Sequence, residues 1–215
     1  MDNSSIKYLL AIESAIAGGS ISLFADGTEI DRLVGPTSIS RAEDLLPSID
    51  LLLSKHGINK RSLTDLVVSA GPGSFTGIKI GIATVLGLSA SLGTRLRQFS
   101  MLESIAHSDK SGGKLVVALP VGRDTVCWQL FIRNACHLTA DNDPAASSIA
   151  ELVERIKSDR ESAYLVNGSI FEHINADLAE RVFDVGQNLA IYLGRAAIET
   201  DIAEVTKPLF VGKQR

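Results

Sequence analysis

The segment best able to do chemistry is a glycine-rich loop at positions 71–77, between a short apolar strand and a long apolar helix. Glycines at such a junction let backbone N–H groups converge on a bound anion. A second interpretation is a tight turn in which a hydroxyl side chain caps the helix and the glycines permit close packing. The sequence leaves both open. The candidate anion-binding residues are Gly71, Gly73, Ser74, Thr76 and Gly77.

This loop matches neither common phosphate-binding pattern. A P-loop needs Lys and then Ser or Thr directly after its last glycine, but Gly77 is followed by Ile78 and Lys79. The glycine spacing also differs from that of the dinucleotide-binding fingerprint. The four histidines and two cysteines stand in no metal-ligating spacing, and no histidine can be nominated as a base for Ser74. The sequence therefore predicts no catalytic residue and no metal site.

The amino-acid composition argues against several classes of protein. The 215 residues are 45% hydrophobic and 21% charged, which is typical of a folded globular chain. A net charge of −4 and 5% aromatic residues argue against a stand-alone nucleic-acid binder, which needs a basic field and stacking surfaces. Two cysteines exclude a disulfide scaffold. Positions 1–12 lack a signal-peptide pattern and the uncharged run 80–94 is too short for a membrane span, so we expect a cytoplasmic protein without a membrane segment.

The order of elements predicts two related α/β lobes, 1–104 and 105–215, with the last helix packing back on the first lobe. In each lobe strands come first, and a helix and a further strand follow. Asp26-Gly27 predicts a hairpin turn, and Ser-x-x-Glu at 40–43 and 148–151 predicts two helix-capping boxes. The polar stretch 141–148 is expected to be a surface loop. The predicted strands are 6–12, 20–25, 29–34, 65–70, 115–119, 126–133, 163–167 and 208–211, and the predicted helices are 41–56, 76–93, 149–157 and 188–200.

The helix at 76–93 is apolar around its whole circumference, with Lys79 as its one charged side chain. Such a helix must be covered on both sides, and its own sheet can cover only one. Gly81 and Gly87 are small enough to admit another helix, and the preceding helix could extend the same surface. We expect a subunit interface here, although the second lobe could also bury the helix. The predicted interface residues are Leu46, Ile49, Leu53, Lys79, Ile80, Ala83, Thr84, Gly87 and Leu88.

Four motifs resemble those of the TsaB family, formerly called YeaZ. They are Leu-Leu-Pro at 45–47, the run 65–81 that contains Gly-Pro-Gly-Ser-Phe-Thr-Gly, Ser-Met-Leu-Glu at 100–103 and Lys-Pro-Leu-Phe-Val at 207–211. The resemblance is strong over roughly the first half of the chain and diffuse afterwards. It implies an α/β, two-lobed, actin-like and Hsp70-like fold of the ribonuclease H type.

The resemblance also implies a function. TsaB members are non-catalytic partners of TsaD, the enzyme that transfers a threonylcarbamoyl group onto a tRNA adenosine to give threonylcarbamoyladenosine (t6A). The helices corresponding to 41–56 and 76–93 pack against TsaD, or against a second TsaB when the protein is alone, and the ATPase TsaE joins the pair. The implied subunit is not an enzyme and has no cofactor of its own. The complex uses ATP, and tRNA is reached only through the complex.

Three positions depart from the family pattern. Glu13 stands where the family has a shorter aspartate, Arg41 stands in place of a histidine, and Pro120 opens a segment that replaces Asp-Ala-Arg-Arg. Each change removes a group that could bind nucleotide or partner, so we expect no nucleotide binding by this subunit alone. The alternative function is an enzyme of the same fold, a phosphotransferase or peptidase that uses the loop from Gly71 to Gly77.

Overall fold

The first half of the chain forms a five-stranded mixed sheet. A computed structural model describes residues 6–36, 44–135, 137–174, 176–178 and 180–200. In chain order the strands are β1 (Tyr8–Glu13), β2 (Ser20–Ala25), β3 (Thr28–Val34), β4 (Leu63–Ser69) and β5 (Arg95–Phe99). Strands β1 to β3 are antiparallel, β1, β4 and β5 are parallel, and the order across the sheet is β3-β2-β1-β4-β5. Asp26 and Gly27 have φ values of 47° and 82° between β2 and β3, so the predicted Asp-Gly hairpin turn is confirmed.

Two helices pack on one face of this sheet, α1 (Leu45–Lys55) and α2 (Phe75–Leu92). Leu45, Ile49, Leu52 and Leu53 recur at helical spacing along α1 and are buried among the residues of β1, β2 and β4. Helix α2 begins where Ser74 accepts a hydrogen bond from the Gly77 N–H and ends at a left-handed glycine cap. A short 3₁₀ turn, Lys60–Ser62, connects α1 to β4.

The second half repeats the same sheet topology. Its strands are β6 (Gly113–Pro120), β7 (Thr125–Asn134), β8 (His137–Ala140), β9 (Ala145–Ser148), β10 (Ala163–Val166) and β11 (Val182–Asp184). The order is β11-β10-β6-β7-β8, with β6 to β8 antiparallel, β6, β10 and β11 parallel, and β9 paired with β7. Both sheets thus place three antiparallel strands beside two parallel ones. This repeat is the two-lobed ribonuclease H-type arrangement, and the predicted fold class is confirmed.

Four further helices complete the described structure. They are α3 (Met101–Ser108), α4 (Ile149–Ser158), α5 (Gly168–Phe171) and α6 (Ala190–Glu199). Helices α4 and α5 pack on one face of the second sheet. Helices α3 and α6 share one core with residues from both sheets, which include Leu9 and Val67 of the first and Leu115 and Phe131 of the second. The last described helix therefore lies against the first sheet, where a Cβ added to Gly194 would meet the Phe24 ring at 2.1 Å.

All the strands and helices predicted within the described residues exist in the structure, but six short elements were missed, each three to eight residues long: β5, α3, β8, β9, α5 and β11. β5 alternates charged and apolar residues over only five positions, and α3 is a helix of eight residues. The loop prediction for 141–148 was wrong at its end, because Ala145–Ser148 pairs with β7 as β9. The capping box at 148–151 is confirmed, with both reciprocal hydrogen bonds present. The capping box at 40–43, the departure at Arg41 and the extended segment 208–211 lie outside the described residues.

Candidate functional site: the glycine loop and the exposed face of α2

Three backbone donors of the glycine loop are bound to acceptors within the protein. The Gly71 N–H donates to the Ser69 hydroxyl at 3.0 Å, and the Ser74 N–H donates to the Ala15 carbonyl at 2.7 Å. The Gly77 N–H donates to the Ser74 hydroxyl at 3.4 Å, which caps α2. These contacts give the loop the role of a capped turn. Gly73 is half-buried and Thr76 is exposed, and anion binding by the loop stays a prediction.

The glycines also permit a close approach between α2 and the segment that follows β1. A Cβ at Gly73 would meet Ala15 at 2.6 Å, and one at Gly77 would meet the Ser14 carbonyl oxygen at 2.2 Å. At Gly81 the distance to the Ser14 hydroxyl would be 2.3 Å, so Gly81 packs against its own chain. The expectation that Gly81 admits a second helix was therefore wrong. Ser14, which also donates to the Gly77 carbonyl at 2.9 Å, was missed as a residue that positions the loop.

Glu13 closes the turn after β1 from a buried position. It is 1% exposed, and its Oε1 accepts hydrogen bonds from the N–H groups of Ala15 at 2.6 Å and Ile16 at 2.9 Å. The carboxylate therefore stabilises the turn against which the glycine loop packs.

A cleft of about 730 Å³ lies between the lobes, lined by Glu13, Pro120, Arg123, Asn167 and Asp184 among others. The loop residues 71–77 do not belong to the described lining of this cleft. An anion held by the loop would therefore lie outside this cleft. Within the described residues, no group of three or more His, Cys, Asp or Glu could hold a metal ion.

Helix α2 leaves most of its surface uncovered. Of its 18 residues, only Ile78, Gly81 and Val85 are buried. The predicted interface residues of α2 are all exposed or half-buried, and a Cβ added to Gly87 would meet nothing within 4 Å. These residues are Lys79, Ile80, Ala83, Thr84, Gly87 and Leu88. Within the described residues, the second lobe does not bury the helix, which was the alternative that the sequence left open.

Helix α1 contributes a different surface from the one predicted. Ile49 and Leu53 are 2% and 3% exposed, because they point into the core of the first lobe. Including them in the interface was wrong: their spacing with Leu45 and Leu52 marks the buried stripe. Leu46 is 53% exposed, and Leu51, which was missed, is 62% exposed.

The uncovered surface includes large apolar side chains in both halves of α2. Phe75 and Leu86, which sequence reasoning missed, are each 53% exposed. The Lys79 ammonium lies 3.9 Å from the centroid of the Phe75 ring and adds a cation–π contact at the start of the helix. We define the α1/α2 face as Leu46, Phe75, Lys79, Ile80, Ala83, Thr84, Leu86, Gly87 and Leu88. Its apolar surface is typical of a protein interface. Leu51 lies about 140° around α1 from Leu46, on the other flank of the buried stripe, and is not part of this face.

Most basic residues near this face are paired with carboxylates. Lys55 lies 2.7 Å from Asp31, and Lys60 lies 2.9 Å from Asp50. Arg95 and Arg97 share Asp65 at 3.2 and 3.0 Å. Hydrogen bonds from Lys55 and then from His56 hold the pKa of the Asp31 carboxyl well below its usual range. Because these carboxylates neutralise the paired cations, this side of the first lobe has no strong positive potential from these residues that would attract the phosphates of tRNA.

By length and composition alone, Phe75–Leu92 is also long and apolar enough to cross a membrane. Its contacts are those of a helix docked on a sheet, since Ile78 is buried and Val85 belongs to the core of the first lobe. We therefore interpret its apolar surface as a protein contact.

Comparison with known proteins gives the family. The model of the family described as "TsaD: tRNA N6-adenosine threonylcarbamoyltransferase" matches residues 34–205, which is more than half of the chain. The chain belongs to this family. Several similar curated proteins are named TsaB. The TsaB protein of Escherichia coli K12 is 27% identical over 129 residues, and that of Buchnera aphidicola is 24% identical over 185 residues. The predicted membership of the TsaB (YeaZ) family is confirmed.

The matches cover the TsaB proteins unequally. The chain spans 55% of the length of the E. coli TsaB protein and 82% of the Buchnera protein, and these matches cover 59% and 83% of the chain. Among solved structures, YeaZ from Pseudomonas aeruginosa has a TM-score of 0.65 at 20% identity. That match covers 95% of this chain and 100% of YeaZ, so the TsaB fold extends through both lobes.

Proposed function

We propose that this protein is a non-catalytic subunit in t6A biosynthesis that binds and activates a TsaD-like transferase through the α1/α2 face. In isolation the same face would join two copies of the chain. Similar proteins carry the name "tRNA threonylcarbamoyladenosine biosynthesis protein TsaB", which supports the pathway. The role of a TsaE-like ATPase, and ATP consumption by the complex, belong to the same proposal.

The observation that carries the proposal is the exposure of α2. Apolar side chains on two neighbouring helices stand in water in the single chain, and covering them stabilises an assembly by about 25 cal/mol per Å² of apolar area. A specific complex buries on the order of 1,600 Å² in total. Two helices with large exposed apolar residues offer the kind of surface that such an interface needs.

The proposal gives the first lobe no direct tRNA site, because the basic residues near the face are engaged with Asp31, Asp50 and Asp65. It therefore assigns tRNA contact to the assembled complex. The enzyme alternative, a phosphotransferase or peptidase that uses the 71–77 loop, has less support. The N–H donors of Gly71, Ser74 and Gly77 are already bound to acceptors within the chain.

Gly87→Glu is the sharpest test of the α1/α2 face. The site has open space around it, and replacing a helical glycine favours the helix by up to about 1 kcal/mol, so the variant should fold. A carboxylate buried in an apolar interface has a large desolvation cost. We expect light scattering to show a dimer for the natural protein and a monomer for Gly87→Glu, and co-purification with a TsaD-like subunit to be lost.

Ile30→Glu is the matched control. Ile30 is 38% exposed on β3, and its neighbour Asp31 points to α1, so Ile30 faces away from α1 and α2. This variant should keep both the dimer and the TsaD-like partner. Two results together would refute the proposed role of the face. The natural protein would be a monomer, and the Gly87→Glu variant would co-purify with the TsaD-like subunit as well as the natural protein does.

A further inference from the structure

The helices α1 and α2 carry few charged side chains, and one of these has no carboxylate partner in the described part of the chain. The charged residues are Asp50 and Lys55 on α1 and Lys79 on α2. Asp50 lies 2.9 Å from Lys60, and Lys55 lies 2.7 Å from Asp31. Lys79 forms no ion pair among the described residues. Its charge is therefore the one on these two helices that only another molecule could neutralise within the described structure.

Lys79 lies inside the apolar surface of α2. Phe75, Lys79, Ala83 and Gly87 follow one another at intervals of four residues, so they line one side of the helix, and all four are exposed. The Lys79 ammonium lies 3.9 Å from the centroid of the Phe75 ring, which holds the cation over the face. A partner that covers both Phe75 and Gly87 would also cover Lys79, which lies between them.

A second copy of the chain cannot neutralise this charge with the same face. Two identical chains usually associate about a two-fold axis, so the same surface lies on both sides of the interface. The α1/α2 face would contribute two lysines to such a dimer and no carboxylate, because no residue of the face is acidic. An ammonium that loses water without gaining a carboxylate destabilises an interface. Lys79 should therefore weaken the homodimer.

We propose that Lys79 selects the partner of the α1/α2 face. It weakens the pairing of two copies, and it favours a TsaD-like subunit that places an aspartate or glutamate against its ammonium. This inference rests on the proposed function, because it concerns the same face. Specificity often combines an attraction to the right partner with an unpaired charge against the wrong one, and here one residue would do both.

Lys79→Met tests the proposal, because methionine removes the charge and keeps most of the apolar stem. We expect the dissociation constant of the homodimer to fall about tenfold or more, and that of the complex with the TsaD-like subunit to rise about tenfold or more. Sedimentation velocity with a fluorescent label on one chain would measure both constants. A change in packing would move both constants in the same direction, so opposite shifts identify an effect of the charge.

Two control variants match this substitution. Lys79→Arg retains the positive charge and the contact with the Phe75 ring, so it should keep the preference for the TsaD-like subunit. Lys55→Met removes a lysine that lies about 180° around α1 from Leu46 and is paired with Asp31. It should change neither dissociation constant.

Carbodiimide crosslinking would identify the carboxylate. The reagent joins a lysine amine to a carboxyl group where the two are in contact, and mixing isotope-labelled with unlabelled copies distinguishes crosslinks between chains. We expect Lys79 to be joined to an aspartate or glutamate of the TsaD-like subunit, and to no carboxylate of a second copy. A crosslink from Lys79 to Asp44 or Asp50 of a second copy would overturn the proposal. So would dissociation constants that both stay unchanged or both shift in one direction in Lys79→Met.

Gly87→Glu distinguishes failure of this proposal from failure of the proposed function. If Gly87→Glu abolishes both assemblies but Lys79→Met shifts neither dissociation constant, the face is the interface and Lys79 does not select the partner. If Gly87→Glu affects neither assembly, the α1/α2 face is not the interface, and both proposals are wrong.

Discussion

Gly77 and Gly87 lie in the same helix but meet opposite environments. A Cβ at Gly77 would lie 2.2 Å from the Ser14 carbonyl oxygen, whereas one at Gly87 would meet nothing within 4 Å. The first glycine is required because the backbone after β1 approaches α2 too closely for any side chain. Within the described chain, no close contact requires a glycine at position 87. A glycine inside a helix lowers the stability of the helix by up to about 1 kcal/mol relative to alanine, and no contact in the described chain offsets this cost.

These contacts predict opposite effects for one substitution. Gly77→Ala should lower the free energy of unfolding by about 2–3 kcal/mol, because backbone must move to admit the methyl group. Gly87→Ala should raise it by up to about 1 kcal/mol. Urea denaturation at one protein concentration would measure both. Equal effects at the two positions would contradict the close packing of α2 on Ser14.

Helix α4 shows how an element is fixed at both ends. At its start, the Glu151 carboxylate accepts from the Ser148 N–H at 2.8 Å, and the Ser148 hydroxyl caps the first turn. At its end, Asp159 accepts from the Glu161 N–H at 2.9 Å and from the Tyr164 hydroxyl at 2.9 Å. Arg181, the residue directly before β11, donates to the Asp159 carbonyl. This hydrogen bond connects the end of α4 to the start of β11. The α4–β10 connection is thus held by one carboxylate.

Asp159 should make the stability of this connection depend on pH. Burial acts to raise the pKa of Asp159, but hydrogen bonds from Ser162, the Glu161 N–H and Tyr164 more than offset it and lower the pKa from 3.8 to about 2. A lowered carboxyl pKa stabilises the fold above the unfolded value of 3.8, and that stabilisation is lost as pH falls towards 2.

We therefore expect Asp159→Asn to cost about 2 kcal/mol at pH 7 and about 1 kcal/mol at pH 3, measured by urea denaturation. Asp177→Asn, which removes an exposed carboxylate of the second lobe, is the control and should cost little at either pH. A cost for Asp159→Asn that does not change with pH would contradict the hydrogen-bonded carboxylate.

At the scale of the whole molecule, the two lobes are joined by a helix that belongs to both. α6 follows the second sheet in the chain but lies on the first, and its residues share a core with α3. Its start is held where the Ala190 N–H donates to the Ser20 hydroxyl at 2.9 Å. Its end is held by Arg97 of β5, which is 4% exposed and donates to the carbonyls of Ala197 at 2.5 Å and Thr200 at 3.1 Å. The first lobe therefore fixes both ends of a helix supplied by the second half of the chain.

The role of Arg97 in holding α6 can be tested with Arg97→Met. Arg95→Met is the control, because Arg95 pairs with the same Asp65 carboxylate. Loss of Arg97 leaves the buried Ala197 carbonyl and the partly buried Thr200 carbonyl without this donor, so we expect the free energy of unfolding to fall by about 2–4 kcal/mol. Hydrogen exchange should become faster at the amides of α6 and stay unchanged in α4. Arg95→Met removes an arginine from the same Asp65, but its side chain is 47% exposed, so its cost should be about 1 kcal/mol or less. Equal costs would contradict a special role for Arg97.

The sequence alone determined the features that act over a few residues. The Asp26-Gly27 turn and the Ser148 cap are local, because turn and capping chemistry need only neighbours along the chain. It also showed that α2 is apolar around its whole circumference. Only the tertiary structure decided that Gly81 packs on Ser14, that Ile49 points inward, and that α6 crosses to the other lobe. A sequence pattern records how apolar a position is, whereas the identity of the surface that covers it depends on which distant strands and helices meet there.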